Sequence, residues 1–283
     1  MDTRFWGPSG WKLLHLTATA PVAHPTKVLR WFELLPYVLP CKYCRYSLSE
    51  YYEKLPLSLT TVKSPSAFSR WAYEIHNMVN DKLRSQGLLK TPNPPYEEVH
   101  RLYTTMAKTA CDSPMVGWDF LASIAYTTPT KGIVSKPMPD IPSHSLTLSE
   151  QNRYNVLPKS ARIAALKEWW SLTPASLPCL EWRSAWSRAL SSRNPMGLKN
   201  PPLTAGRGPV SCWLWDLESS VCSCLKCPTA HQSLPALKSE LSAFESSCGT
   251  AKKRRTCRAK RDEKRKAALT RRVQMGGALV HYD

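Results

Sequence analysis

Residues 67–84 read AFSRWAYEIHNMVNDKLR. Phe68, Trp71, Ile75, Val79 and Leu83 recur at intervals of three and four, the apolar stripe of an amphipathic helix. His76 and Asn80 lie four apart and share a second face, with Asn77 beside them. Lys82 falls off that face near the helix end. One side of this helix is built to pack, and another presents planar, hydrogen-bonding groups. Three helical runs precede it, punctuated by Pro21, Pro25, Pro36, Pro40, Pro56 and Pro65. Residues 9–20 place Trp11, Leu14 and His15 on one face. Residues 26–35 (TKVLRWFELL) are amphipathic, and a third run starts at Cys41 and carries Cys44, Leu48, Tyr51 and Tyr52. The pattern predicts an all-α fold that opens with four short helices. Twenty-four Pro against eleven Gly leave little room for the βαβ pattern of dinucleotide folds.

The third run begins Cys41-Lys42-Tyr43-Cys44. A C-x-x-C alone is shared by thioredoxin-like centres, zinc knuckles and structural pairs. Its neighbours narrow the reading. Trp11 and His15 lie one helical turn apart, so two planar rings stand side by side. Flat rings with a few edge donors are what a large aromatic cofactor requires. An active dithiol needs one cysteine to exchange with substrate and a second to pass electrons on.

In this order and spacing the motifs resemble the Erv/ALR family of FAD-linked sulfhydryl oxidases. The residues that carry the resemblance are Trp6-Gly7-Pro8, Trp11-Lys12-Leu13-Leu14-His15, Pro40-Cys41-Lys42-Tyr43-Cys44, Trp71 and His76-Asn77-Met78-Val79-Asn80-Asp81-Lys82-Leu83. They span roughly residues 5–84, under a third of the chain, and the Trp-Gly-Pro opening is more like the versions of large DNA viruses. The resemblance implies a four-helix bundle that holds FAD and oxidises thiols to disulfides, with electrons passing to O2 to give H2O2. It implies Cys41 as the interchange cysteine and Cys44 as the flavin-facing one that forms a charge-transfer thiolate. Trp11, His15, Trp71, His76, Asn77, Asn80 and Lys82 match cofactor-contacting positions. Two departures stand out. Leu39-Pro40 replaces the common Tyr-Pro, and TPNPPYEEVHRLY (91–103) replaces an aromatic and basic cluster, where Tyr96 and Arg101 are residues of the right kind. Thiol-containing proteins or a thioredoxin-like relay, and O2, are the implied partners. A homodimer is a family habit.

The 283 residues carry 39 Lys+Arg against 21 Asp+Glu, a formal net charge of +18. Twelve Lys/Arg and two acidic residues fall within 252–272, so net +10 sits in that run. Such a run fits a solvated tail, an import-receptor address or a nucleic-acid contact. No apolar run approaches the ~18 residues of a membrane span, and the opening residues lack a secretory leader's pattern. The expected setting is inside the host cell, in cytoplasm, nucleus or virion, not secreted and not membrane-spanning. Ten cysteines there point to redox work or metal binding rather than a disulfide framework.

The chain also repeats itself. Gly10-Trp11-Lys12-Leu13-Leu14 is echoed by Gly117-Trp118-Asp119-Phe120-Leu121. Residues 28–52 align with 166–190 through a shared Leu-Pro-Cys at 39–41 and 177–179, and residues 70–74 align with 214–218. One supersecondary unit used twice shares its fold. The second copy has lost the chemistry: His15 becomes Ala122, Cys44 becomes Trp182, His76 becomes Ser220, Asn77 becomes Val221 and Asn80 becomes Cys224. Trp118 and Trp215 read as core. The expected division is a catalytic unit at 1–92, a degenerate helical unit at 93–235 with an exposed linker within 128–160, and a basic tail at 236–283. On this alignment only the first copy carries a working dithiol.

A last cluster is Cys222, Cys224 and Cys227, followed by His231. A shuttle disulfide, incidental cysteines and a zinc site of three Cys and one His all stay open, and Cys248 and Cys257 near the tail are further shuttle candidates. Two whole-chain alternatives accompany the oxidase reading: a zinc-stabilised basic nucleic-acid-binding protein, and an inactive scaffold of the same fold.

Overall fold

The computed structural model describes residues 1–130, 136–193 and 199–245. Among them every regular element is helical, and thirteen are α-helices. They are α1 (Thr3–Thr19), α2 (Pro25–Glu33), α3 (Leu35–Val38), α4 (Lys42–Lys54), α5 (Leu59–Lys63), α6 (Pro65–Ser85), α7 (Tyr96–Thr109), α8 (Trp118–Tyr126), α9 (Leu148–Arg153), α10 (Lys159–Ser176), α11 (Leu180–Arg188), α12 (Arg207–Leu225) and α13 (Leu234–Ala243). None is long and apolar enough to cross a membrane.

Local chemistry sets these boundaries. Helix α6 starts where Pro65 takes the first position, whose N–H has no intrahelical partner, and the Ser64 hydroxyl accepts from the Ala67 N–H at 3.4 Å. Helix α1 begins six residues earlier than the sequence pattern indicates. The Asp2 carboxylate accepts from the Arg4 N–H at 3.0 Å, and Pro8 is carried inside the helix near its start. A capping interaction of this kind contributes about 1 kcal/mol.

The two sequence repeats face each other through matching residues. Trp31 of α2 stacks on Trp169 of α10 with ring centroids 5.1 Å apart, and these occupy the same position in the repeat. Beside them Arg30 pairs with Glu168, again equivalent positions, through N···O contacts of 2.6 and 2.9 Å. The indole N–H of Trp31 donates to the Thr173 hydroxyl at 3.0 Å, so its one polar atom is satisfied inside the core. Helices α1 and α8 cross reciprocally. A Cβ at Gly10 would meet the Phe120 ring at 3.1 Å, and a Cβ at Gly117 would meet Leu13 at 2.8 Å. Gly10 is the counterpart of Gly117, and Leu13 of Phe120. Contacts in which i meets j and j meets i are those of an interface between two units related by a two-fold axis.

The same correspondence holds within each half. Cys41 caps α4 and Cys179 caps α11, both in extended backbone. The Arg45 guanidinium donates to the Leu39 carbonyl at 2.8 Å, as Arg183 does to Leu177 at 2.9 Å. The second half fills its interior with indoles: Trp169, Trp182, Trp186 and Trp213 are all fully buried.

Two segments differ from the sequence expectation. The stretch expected as an exposed linker contains α9, capped reciprocally by Thr147 and Glu150. It is tied to the first half: Asn152 donates to the Pro36 carbonyl at 2.9 Å, Arg45 to the Asn155 side chain at 2.7 Å, and Arg153 pairs with Glu53. Its Pro- and Ser-rich composition conceals these side-chain anchors, which have no periodicity to betray them. Residues 236–245, expected in the tail, belong to the packed body. Phe244 is fully buried against Phe5 at 5.2 Å, and its carbonyl accepts from the Asp2 N–H at 2.9 Å. The basic run at 252–272 lies outside the described residues.

Gly117 combines positive φ (+98°) with no room for a Cβ, whereas Gly87 (φ +68°) has nothing within 4 Å. Replacing Gly87 by Ala is expected to cost about 1 kcal/mol from backbone strain alone, and Gly117→Ala about 1–3 kcal/mol more from overpacking against Leu13. Paired denaturant unfolding curves measure the difference.

Candidate active site

The dithiol sits where α3 gives way to α4. Leu39-Pro40 ends the preceding turn, and Cys41 is the N-cap of α4, with both Cys44 and Arg45 N–H groups reaching the Cys41 carbonyl at 3.1 and 3.0 Å. The C-x-x-C spacing then brings Cys44 one turn along, next to Cys41. Both are half-buried and unbonded to each other. The thiol of Cys44 donates to Cys41, which pulls the Cys41 pKa down to about 6 against the opposing effect of burial, with the Cys44 backbone N–H adding to the pull. Cys44 is pushed the other way, first by that same hydrogen bond and then by burial. At neutral pH the pair therefore holds one proton, and the anion falls on Cys41.

Two cations favour a negative Cys44 when it forms, those of Lys82 and Arg45. Lys82 donates its ammonium to the Ser47 hydroxyl, one turn beyond Cys44 on α4. Arg45 is held by the Leu39 carbonyl and Asn155. Sequence reasoning missed Arg45, because a lone Arg after a C-x-x-C carries no signal until Asn155 and the loop carbonyl hold it there.

Helices α1, α6 and α7 supply a second group. Trp11 stacks on His76 with centroids 3.9 Å apart and planes 11° from parallel. His15 Nε2 and His76 Nδ1 are 3.0 Å apart, and one ring donates to the other. His15 stacks in turn on Tyr103 of α7 at 4.6 Å. Burial holds His15 down to about 3 and keeps His76 low as well, with His15 reinforcing the effect. Both imidazoles are therefore neutral, each offering one donor and one acceptor. Asn80 is buried and donates to the Asn93 side chain at 3.0 Å, while Asn77 is half-buried beside His76.

Of the residues singled out from sequence, Trp11, His15 and His76 come together, and Asn77 and Asn80 flank them. Lys82 turns toward α4. Trp71 does not join the group: its N–H donates to the Leu55 carbonyl at 3.0 Å and its ring packs edge-on against Phe32 and Tyr52. Tyr103 is the residue the sequence reading overlooked. It lies in the divergent 91–103 stretch, where Tyr96 instead stacks on His100 and carries the Arg70 guanidinium 3.6 Å from its ring centre. The helical spacing of Val99 and Tyr103, both buried, is the signal that singles it out.

In the 222–231 cluster the histidine and the cysteines have different neighbours. His231 Nδ1 lies 2.7 Å from Glu218 and Nε2 lies 3.0 Å from Asp119, so both ring nitrogens are engaged by carboxylates. The histidine is thus turned to two carboxylates rather than offered to the cysteines. Among the described residues the group spaced to hold a metal is Cys111, Cys179 and Glu181. Cys222 and Cys227 are neighbours, joined also by a backbone bond of 3.0 Å, and burial raises the Cys222 thiol. Cys248 and Cys257 lie outside the described residues.

The Erv1 / Alr family profile matches residues 8–96. A probable FAD-linked sulfhydryl oxidase of Acanthamoeba polyphaga mimivirus is 32% identical over 85 residues, which is 28% of this chain and 59% of that protein. A putative FAD-linked sulfhydryl oxidase of Invertebrate iridescent virus 6 is 29% identical, over 29% of this chain and 83% of its own length. The FAD-linked sulfhydryl oxidase of African swine fever virus is 31% identical, over 29% of this chain and 70% of its own. No solved structure matches. The chain belongs to the Erv1/Alr family.

Two expectations follow from the titrations. In the reduced protein, alkylation of Cys41 by iodoacetamide is expected to rise with pH through about 6, well before a free thiol's ~8.5, while Cys44 stays unlabelled. Peptide mass spectrometry after timed quenching resolves the two sites. His231 is raised from 6.5 to about 10 because its two carboxylate partners outweigh burial. A raised pKa contributes stability that is complete below the unfolded value of 6.5 and lost as pH climbs through about 10. The destabilisation caused by His231→Asn is accordingly largest at pH 6 and shrinks toward pH 10 in paired unfolding curves.

Proposed function

We propose that this chain is an FAD-dependent thiol oxidase that makes disulfides in protein substrates, with Cys41 and Cys44 as its redox pair. The observation that carries the reading is the half-buried dithiol capping α4, with one proton shared between its sulfurs and Lys82 and Arg45 behind it. The donor set on α1, α6 and α7 suits FAD. Trp11, His15, His76 and Tyr103 supply flat aromatic faces, Asn77 and Asn80 supply edge donors and acceptors, and Lys82 supplies a positive charge for an anionic cofactor. Trp71 supports this region through the core. Bound FAD supplies the two-electron acceptor, with O2 as the final acceptor and H2O2 as product.

The chain's own residues account for the thiol chemistry. With Cys41 and Cys44 joined, a substrate thiolate attacks the Cys41 sulfur, the S–S bond breaks, and Cys44 leaves as a thiolate stabilised by Lys82 and Arg45. A second substrate thiolate attacks the mixed disulfide and expels Cys41, a good leaving group because its thiol is acidic. The neutral His15–His76 pair places donors and acceptors without adding charge, which leaves the local field to the two cations. The half-buried dithiol admits a small or extended thiol.

In this reading residues 93–235 form a degenerate counterpart of the catalytic unit. The reciprocal contacts of α1 with α8 and of α2 with α10 support it.

The purified protein is expected to be yellow and to consume O2 when given dithiothreitol. Cys44→Ser should bring turnover down to the uncatalysed background while leaving the flavin bound, since the ring faces and edge donors come from other residues. An absorbance spectrum with an oxygen-electrode trace decides it. A colourless wild-type protein, or a fully active Cys44→Ser variant, is the result that ends this proposal.

A further inference from the structure

Cys179 is the repeat counterpart of Cys41, yet Trp182 stands where its partner cysteine would be. The structure brings a different cysteine to it. Cys111 lies in the 3-10 turn Ala110–Asp112 that follows α7. The Trp182 indole N–H donates to the Ser113 carbonyl at 3.1 Å, and Ser113 closes back on α7 through the Thr109 carbonyl at 2.8 Å. The residue that displaced the second cysteine therefore anchors the segment that carries a replacement. The Cys111 and Cys179 sulfurs and a Glu181 carboxylate oxygen all lie within 4.8 Å of one another, and the two thiols are hydrogen-bonded. Cys179 is buried and Cys111 half-buried.

We propose that Cys111 and Cys179 are a second redox pair of this chain, which closes a disulfide tying the segment after α7 to the start of α11. Two sulfurs within 4.8 Å of each other need only a small approach to reach the S–S bond length of about 2.05 Å. The more accessible Cys111 thiol loses its proton to solvent, and its thiolate attacks an oxidising disulfide RSSR, releasing one RS⁻. Cys179 then loses its proton and attacks the Cys111 sulfur, forming the Cys111–Cys179 bond and releasing a second RS⁻. Two electrons and two protons leave the pair, and RSSR becomes two RSH. Burial raises both thiols, and the neighbouring carboxylate adds to it, in contrast to the acidic Cys41. A disulfide whose reduced form is the less stabilised is the weaker oxidant. Electrons therefore run from Cys111/Cys179 toward a disulfide like Cys41–Cys44, so this chain's own centre is a competent oxidant; only that clause rests on the oxidase reading. A tetrahedral zinc site needs a fourth ligand beyond these three.

The test uses the full chain, purified in reductant, freed of it, then treated with oxidised glutathione, quenched by alkylation in denaturant and digested. The expected product is a reducible peptide pair joining Cys111 to Cys179, two mass units below the sum of its thiols. Full alkylation of both cysteines, or separate glutathione caps on each, overturns the pairing. So does stoichiometric zinc in the wild type that is lost in Cys111→Ser. Cys111→Ser changes only a half-buried side chain and is expected to retain oxidase turnover with dithiothreitol. Its melting temperature should respond less to reductant than the wild type's, the remaining response being that of Cys41–Cys44; an identical response in both overturns a structural bond. A parallel arm in air without glutathione separates the two readings. Closure in the wild type but not in Cys44→Ser supports the internal oxidant. Closure with glutathione alone upholds the pairing and counts against the oxidase.

Discussion

The packing of Trp31 on Trp169 is the constraint on which the rest of this molecule depends. Each indole is fully buried, and a large aromatic pair at 5.1 Å fixes α2 against α10 far more tightly than aliphatic contacts would. Beside it α1 and α8 cross closely, with no room for a Cβ at Gly117 and little at Gly10. Helix α1 carries Trp11 and His15, and α2 leads through α3 to the cap at Cys41. The geometry of the candidate site is therefore set from behind, by an interface between two halves that holds no redox chemistry of its own. The Arg30–Glu168 pair at the edge of this interface is half-exposed and adds register more than stability.

Electrostatics then separates chemically similar groups. Cys41 and Cys179 occupy the same structural position, at a helix N-cap after Leu-Pro. Cys41 is drawn to its anion by a hydrogen bond from its neighbour, whereas at Cys179 burial outweighs the hydrogen bonds from Trp182 and Cys111 and raises the thiol. Histidines divide in the same way. His15 and His76 face aromatic rings and each other and stay neutral, while His231 faces Glu218 and Asp119 and is charged. Burial is common to all three, so the identity of the contacting groups decides the outcome.

Much of this was legible in the sequence. The stripe through Phe68, Trp71, Ile75, Val79 and Leu83 marks α6 because a 3.6-residue period survives any packing arrangement. The ordered motifs place Trp11, His15, Cys41, Cys44 and His76, since each depends on spacing within one helix or at one cap. The 128–160 segment was misread because α9 is short and its anchors, Asn152, Arg153 and Asn155, bond to residues about a hundred positions away. The resemblance matches Trp71 to a cofactor-contacting position, and the neighbours that the fold gives it are Phe32, Tyr52 and Leu55.

By itself the sequence determined the all-helical character, the main amphipathic helices of the first 90 residues and the dithiol, all of which follow from short-range periodicity and spacing. The tertiary structure alone decided which side chains meet: Tyr103 on His15, Lys82 behind Cys44, His231 between two carboxylates and Cys111 beside Cys179. Those encounters join residues from 13 to 112 positions apart, and neither spacing nor composition encodes the angle at which two packed helices bring their faces together.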